Sequence, residues 1–488
     1  MKRTFKASRE FRTQNLPVGG AEGQFGAIGA LPEPLWSGHQ GTAWIITRCI
    51  PFGVLLLTLT LGYATDWSQF RGPSGTGVGE ESAIPLEWSK DKHLAWKTAI
   101  PGVGWSQPVT AGSLVFVTSA LTDKPQQPMD YTSGIADPYT LDGAKASAPE
   151  LRIHWKVFAL DLQSGVIRWE RDAASGKPKY PIHPSNTYAS ETPAVDGRRV
   201  YAWFGAAGVM VAFDHAGHRL WQKELGVFRQ QNNVGTASSP RLFEGLIYLQ
   251  CFNEEQAVLV CLDARDGQEK WRLTRPLPGT AWNTPLIWRN AHRTELVVCA
   301  QKLMTSHDPL TGKEYWRASG PDMPVIPSLS ADAQRLYFGY RSPTAGGPLY
   351  ALDAGAKGEQ CPGQGDSTFL TQAWKAPEAA PGMPSPLAAA GCVYVLNDNV
   401  LTCLDAATGK AHFKKRLPSF RTVVASPIAS GGRIVMLDEV GHAIVIQAGP
   451  EFLILGQSRL EDRFWASPAL ANGALLLRGL ECLYCIRI

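Results

Sequence analysis

No long Lys/Arg run occurs in the chain, and its formal net charge is only +4 over 488 residues. Nucleic acid is therefore not an expected partner. The ten histidines form no H-x-x-x-H pair and no His/Cys cluster, so the sequence holds no metal spacing. There is no G-x-S-x-G elbow and no P-loop, which removes the usual signatures of serine hydrolases and nucleotide-binding enzymes. Long apolar stretches are missing too. The run Cys49–Tyr63 (CIPFGVLLLTLTLGY) falls short of the roughly 20 residues that a membrane-spanning helix needs. Preceded by Arg48 and ended by the small residues Gly62 and Ala64, it reads as a secretory signal cleaved after Ala64. An uncleaved membrane anchor is the competing reading, and it would be the chain's only membrane contact. Residues 1–64 are accordingly set apart as an N-terminal extension and signal, and 65–488 as one folded domain, expected to be monomeric.

Nine cysteines are present, eight of them beyond Ala64. Cys482 and Cys485 have C-x-x-C spacing, but no His follows, which excludes haem attachment by pattern. Their odd separation in a strand-like run puts them on opposite faces, so buried thiols are expected. Cys392 and Cys403 flank a turn placed at Asn397-Asp398, where a cross-hairpin disulfide and two free thiols remain alternatives.

What the chain has in plenty is glycine (48), proline (35) and tryptophan (16). That mixture suits short strands joined by tight turns, with large rings between sheets. One pattern recurs: a small-apolar-Asp step, a turn ending in Gly, then an aromatic. It is seen in ALDLQSGVIRW (Asp161, Gly165, Trp169), AFDHAGHRLW (Asp214, Trp221) and CLDARDGQEKW (Asp263, Gly267, Trp271). It returns in SHDPLTGKEYW (Asp308, Gly312, Trp316) and CLDAATGKAHF (Asp405, Gly409), with a degraded copy at Asp353. The Asp residues lie 53, 49, 45, 45 and 52 residues apart. A second mark precedes each copy: a small or polar residue with Pro, as in SQPV (106–109), ETPAV (191–195), NTPLI (283–287) and SPI (426–428).

A β unit returning at this period cannot bury both faces of its own sheet, so the units must stack radially. The Asp accepts amide hydrogen bonds within its turn, and the Gly supplies positive φ. These repeat residues are read as structural. The expectation is an all-β, eight-bladed β-propeller of four-stranded antiparallel blades, with seven blades as the fallback. The strand LAWKTAI (94–100) is expected to complete the last blade. Inter-blade connectors and the loops between second and third strands share one end. That decorated face, including 121–150, 173–189, Glu254-Glu255 and 341–347, is the candidate functional face.

The repeat resembles the pyrroloquinoline-quinone-type (BamB-like) propeller repeat, shared by quinoprotein dehydrogenases and by BamB, the propeller lipoprotein of outer-membrane barrel assembly. DWSQFRGPSGTG (66–77), LAWKTAIPGVGWSQPV (94–109), HPSNTYASETP (183–193) and FNEEQAVLVCLD (252–263) resemble the secreted members common in planctomycete-like bacteria. The resemblance covers 66–488 and implies the fold firmly but the activity weakly. It points to a binding or scaffold protein of the periplasm or cell envelope, whose partner is an envelope protein or small ligand. The alternative it carries is an alcohol or sugar dehydrogenase using pyrroloquinoline quinone with Ca²⁺, although the Cys-Cys pair frequent in those enzymes is absent. Candidate funnel residues are Trp105, His183, Asn186, Tyr188, Glu191, Asn233, Glu254, Trp282 and Trp465. Each has a bland reading as well, packing between inner strands or capping a loop.

Overall fold

Described by the computed structural model are residues 66–79, 84–124, 127–131, 150–276, 278–321, 323–340, 346–361 and 370–488. The stretch read as a secretory signal, most of the 121–150 insertion and residues 341–345 lie outside them. Among the described residues no helix is long and apolar enough to cross a membrane.

Eight sheets follow one another along the chain, each antiparallel within its four-stranded core. Blade 1 runs through Val109–Ala111, Leu114–Thr122, Ile153–Asp161 and Ile167–Gly176, from the innermost strand outwards. Its outer strand takes in residues 173–176, which the sequence reading gave to the connector. Blades 2 to 7 repeat the order, and blade 4 gains a fifth, parallel strand from Gly358–Glu359. Second and third strands are sandwiched between neighbouring sheets. They are buried on both faces, as in Ala257–Asp263, where every residue is buried. Outer strands meet solvent on one side and alternate, as in Glu269–Thr274.

The eighth blade takes three strands from the C-terminus, Ala469–Ala471, Ala474–Arg478 and Cys482–Arg487. Its fourth is Leu94–Ala99, paired antiparallel with Cys482–Arg487. Eight blades is therefore the count, and the ring is closed by chain ends.

Tryptophans lock five of the blade junctions. The outer-strand indole of one blade lies over the glycine of the following blade's Asp–Gly turn. A Cβ on Gly165 would meet the Trp96 ring at 2.5 Å, and one on Gly409 would meet the Trp374 ring at 2.5 Å. The same overlay joins Trp169 to Gly217, Trp221 to Gly267 and Trp271 to Gly312. Indole N–H groups finish the contact: Trp96 donates to Leu162 O at 3.0 Å, Trp169 to His215 O at 2.8 Å. Trp316 differs, donating to the Glu295 carboxylate of its own blade at 2.7 Å. The repeat aspartates accept amides of their own turns, as Asp308 does from Leu310 and Thr311 at 2.9 Å.

The eight described cysteines are buried, and Cys392 and Cys403 are free thiols. Asn397 pairs with Val400, so the hairpin turn is Asp398-Asn399, one residue later than placed from sequence. Asp398 takes the left-handed conformation that tight turns need, at φ 50°.

Residues 66–79 plug the channel from the end that carries the Asp–Gly turns. The segment touches successive inner strands on its way round. Trp67 O accepts from Thr110 N–H of blade 1 and Trp67 N–H donates to the Thr110 hydroxyl, while Ser68 O accepts from Val195 in blade 2 at 2.8 Å. Gln69 reaches blade 3, accepting from Leu242 N–H at 2.8 Å. Arg71, wholly buried, donates to Leu329 O in blade 5 and Pro386 O in blade 6. Gly77 and Gly79 pair with Ala429 in blade 7.

Candidate functional site

Above the plug the axis opens into a funnel of about 200 Å³, on the decorated face, with Phe70 among its lining residues. Two tiers of side chains, each contributed by successive inner strands, shape it. The lower tier is a ring of hydroxyls: Thr192, Ser239, Thr284, Ser328, Ser385, Ser426 and Ser467. Gln107 takes the equivalent place in blade 1. The ring is a continuous hydrogen-bonded seam. Gln107 N–H donates to Thr192 Oγ1, Thr192 N–H to Ser239 Oγ, and so on to Ser426 N–H and Ser467 Oγ, at 2.9–3.0 Å throughout. Gln107 Nε2 closes it on Pro468 O. Every blade thus reads its neighbour's position at the axis.

The upper tier lies two residues earlier in each blade: Trp105, Ser190, Ala237, Trp282, Ile326, Met383, Val424 and Trp465. Blades 8 and 1 are adjacent, so Trp465 and Trp105 stack, with centroids 5.5 Å apart and planes at 23°. Tyr131 stacks on the outer side of Trp465 at 5.7 Å. Trp282, in blade 4, faces this stack from the opposite side of the ring. Each indole is fixed by its N–H: Trp105 to Ser185 O and Trp282 to Gly235 O, both at 2.8 Å.

Residues 127–131 form a strap from blade 1 across the mouth. Met129 N–H donates to Pro184 O at 3.0 Å, Tyr131 N–H to a Glu439 carboxylate oxygen at 3.1 Å, and Arg463 to Pro128 O at 2.6 Å. Sequence alone gave no sign of this strap.

Of the nine candidate residues, four line the funnel: Trp105, Asn186, Trp282 and Trp465. Asn186 is spent on local bonds, its amide donating to Val234 O and its carbonyl accepting from Thr187 and Tyr188 N–H. His183 is buried beside Ser185, 2.8 Å from its hydroxyl. Tyr188 is buried with its hydroxyl donating to Tyr180 O at 3.1 Å. Asn233 is buried and accepts from Arg229 Nε at 2.6 Å. Glu254 stays at the surface, accepting from the Thr280 hydroxyl. Strand alternation explains why Glu191 is absent from the wall. It sits one residue before the ring position, so its side chain turns into the blade while Ser190 and Thr192 face the axis.

Glu191 is 2% exposed and accepts from Gly205 N–H at 3.0 Å and from the Thr236 hydroxyl. Burial raises its pKa to about 7, against the pull of those donors. Its stabilising contribution is complete below its unfolded pKa of 4.5 and is lost as pH rises through about 7. Unfolding free energy should fall by roughly 3 kcal/mol across that window. Glu191→Gln should flatten this dependence, so denaturant midpoints of the variant at about pH 5 and about pH 8 should nearly coincide. A parent protein equally stable at both values would refute the assignment. Burial likewise pushes the Cys251, Cys261 and Cys299 thiols up to about 12, which keeps them out of thiolate chemistry.

An eight-bladed ring with this repeat, closed by its own N-terminal strand, defines a quinoprotein-type β-propeller. The family model of the outer membrane protein assembly factor BamB matches residues 86–250, 206–360 and 366–449, and the chain belongs to that family. BamB of Yersinia pestis is 24% identical over 323 residues, covering 64% of this chain and 76% of that one. Among solved structures, BamB from Moraxella catarrhalis superposes with a TM-score of 0.50 at 11% identity, covering 80% of this chain and 99% of that one. A europium-containing methanol dehydrogenase gives 0.56 at 12% identity, over 86% of this chain and 90% of its own. The quinohemoprotein alcohol dehydrogenase of Comamonas testosteroni gives 0.56 at 14%, over 86% and 80%. At such identities the structural likeness shows the fold alone.

Proposed function

We propose that this chain is an exported binding or scaffold propeller of the cell envelope, docking an envelope protein on the decorated face. The observation that carries the reading is the family match between residues 86 and 449. The Yersinia pestis relative is by name an outer membrane protein assembly factor, which supports an envelope protein as the class of partner. The geometry agrees: aromatic rings, connectors and the strap gather at the funnel end, while the other end carries tight Asp–Gly turns and the plug. A photo-crosslinking residue placed at Met129 on the strap should give a discrete adduct in envelope preparations. One placed at Val166, in the Asp–Gly turn of blade 1, should give none. Both sites are exposed, at 40% and 55% respectively, so access does not decide the result. Equal adducts at both, or none at Met129, would defeat the reading.

The dehydrogenases among the structural neighbours support a second reading, with pyrroloquinoline quinone and Ca²⁺ in the funnel. The residues present do not fit it. Ca²⁺ takes six to eight oxygen ligands, commonly with carboxylates among them. Among the described residues the funnel lining holds no Asp or Glu, and no three His, Cys, Asp or Glu side chains gather as a metal group. The volume is also below the roughly 300–1,000 Å³ of pockets for drug-sized ligands. Quinone and Ca²⁺ added to the purified protein should yield no stoichiometric chromophore and no dye-linked alcohol oxidation.

A further inference from the structure

Around Phe70 the funnel floor is a ring of hydroxyl groups. Each ring hydroxyl uses a lone pair to accept the neighbouring blade's N–H, and among the described residues its own O–H meets no protein acceptor. A serine or threonine hydroxyl has one proton to give, so the ring aims a set of unclaimed donors at one small space.

Beneath them lie two cations with no counter-ion. Arg71 donates to Leu329 O and Pro386 O, each one residue beyond a ring hydroxyl, and its Nε has no partner. Arg241 donates to Pro285 O, again one residue beyond the ring, and to Phe70 O. Both side chains are fully buried, and no carboxylate pairs with either among the described residues. Burial lowers both pKa values to about 9, which leaves them charged at neutral pH. In so dry a place their field reaches the funnel with little screening. Above the hydroxyls, the Trp105–Trp465 stack on one side and Trp282 on the other present apolar ring surface to the funnel.

We propose that the axial funnel is a binding site for a small ring compound bearing one carboxylate, with the acid on the hydroxyl ring and the ring body against the tryptophans. The acid supplies acceptors to donors that lack them and a negative charge to two guanidiniums that lack one. A flat or pyranose ring suits the slot, and the volume admits one such ring. Sugar acids and aromatic acids share this chemistry. The site is independent of the protein-docking surface proposed above and survives its failure.

The test is tryptophan fluorescence and calorimetric titration of the full chain with four probes: glucuronate, glucose, benzoate and benzyl alcohol. At least one acid should bind saturably and about tenfold or more tighter than its neutral counterpart, a difference of about 1.4 kcal/mol. Which acid wins identifies the ring body. Raised salt should weaken the acid only slightly, since buried charges are screened little, and leave the neutral probe unchanged. Trp282→Leu keeps the ring and plug and should lose at least about fivefold in affinity when titrated well below its own melting temperature, which the emptied indole site lowers. Acid and neutral probes binding alike, or no saturable binding by either acid, would overturn the proposal.

Discussion

Trp96→Ala is expected to cost about 3–5 kcal/mol of unfolding free energy, the range for emptying a buried tryptophan site. Trp96 is the indole of the strand that closes the ring, 9% exposed, lying over Gly165 and donating to Leu162 O. The cavity removes packing between the first and last blades, and no other blade pair depends on a strand borrowed from the opposite terminus. The loss should therefore be felt at both chain ends together. Limited proteolysis of the variant should cut near 94–99 and 482–487 before any internal blade. Trp271→Ala, with the same overlay on Gly312, serves as the control: a similar free-energy loss without paired terminal cleavage. Should Trp96→Ala unfold at the parent's denaturant concentration, the closing strand does not hold the ring.

Glu295→Ala should be as damaging for another reason. This side chain is 0% exposed, and four groups converge on it. Asn290 donates at 2.9 Å, Trp316 Nε1 at 2.7 Å and the Ser306 hydroxyl at 2.5 Å, while Arg293 pairs with it at 3.1 Å. Alanine strands two buried donors on Trp316 and Ser306, the partly buried Asn290 amide and a partly buried guanidinium, for which about 3–5 kcal/mol is expected. Glu295→Gln keeps an acceptor and fills the space, so about 1–2 kcal/mol should suffice. Denaturant unfolding of the two variants side by side checks the ranking, and hydrogen exchange should report the opening first in blade 4. Equal losses would mean that volume, rather than charge and donors, is what Glu295 provides.

The two sites show what a linear sequence exposes. The Asp–Gly–Trp copies were legible because each role is local: Asp308 meets amides two and three residues on, and Gly312 needs positive φ whatever surrounds it. Trp105, Trp282 and Trp465 were legible as mouth residues because their place before an inner strand fixes their height on the axis. Glu191 was not, since a one-residue offset on an extended chain reverses the side chain, and the connector's local shape decides that offset. The Ser/Thr-Pro marks were visible as punctuation. Their hydroxyls became a site only when eight blades brought them to one circle.

By itself the sequence determined the propeller, its four-stranded units and its closure by the strand read at 94–100, while the structure decided eight blades over seven. Repetition, turn chemistry and strand period are nearest-neighbour properties, and they accumulate along the chain. Only the tertiary structure decided the plug at 66–79, the strap at 127–131, the hydroxyl ring and the unpaired Arg71 and Arg241. Those rest on contacts between residues more than 300 positions apart, as between Arg71 and Pro386 and between Gly77 and Ala429. No local period encodes such a meeting; radial stacking creates it by turning distant residues toward one axis.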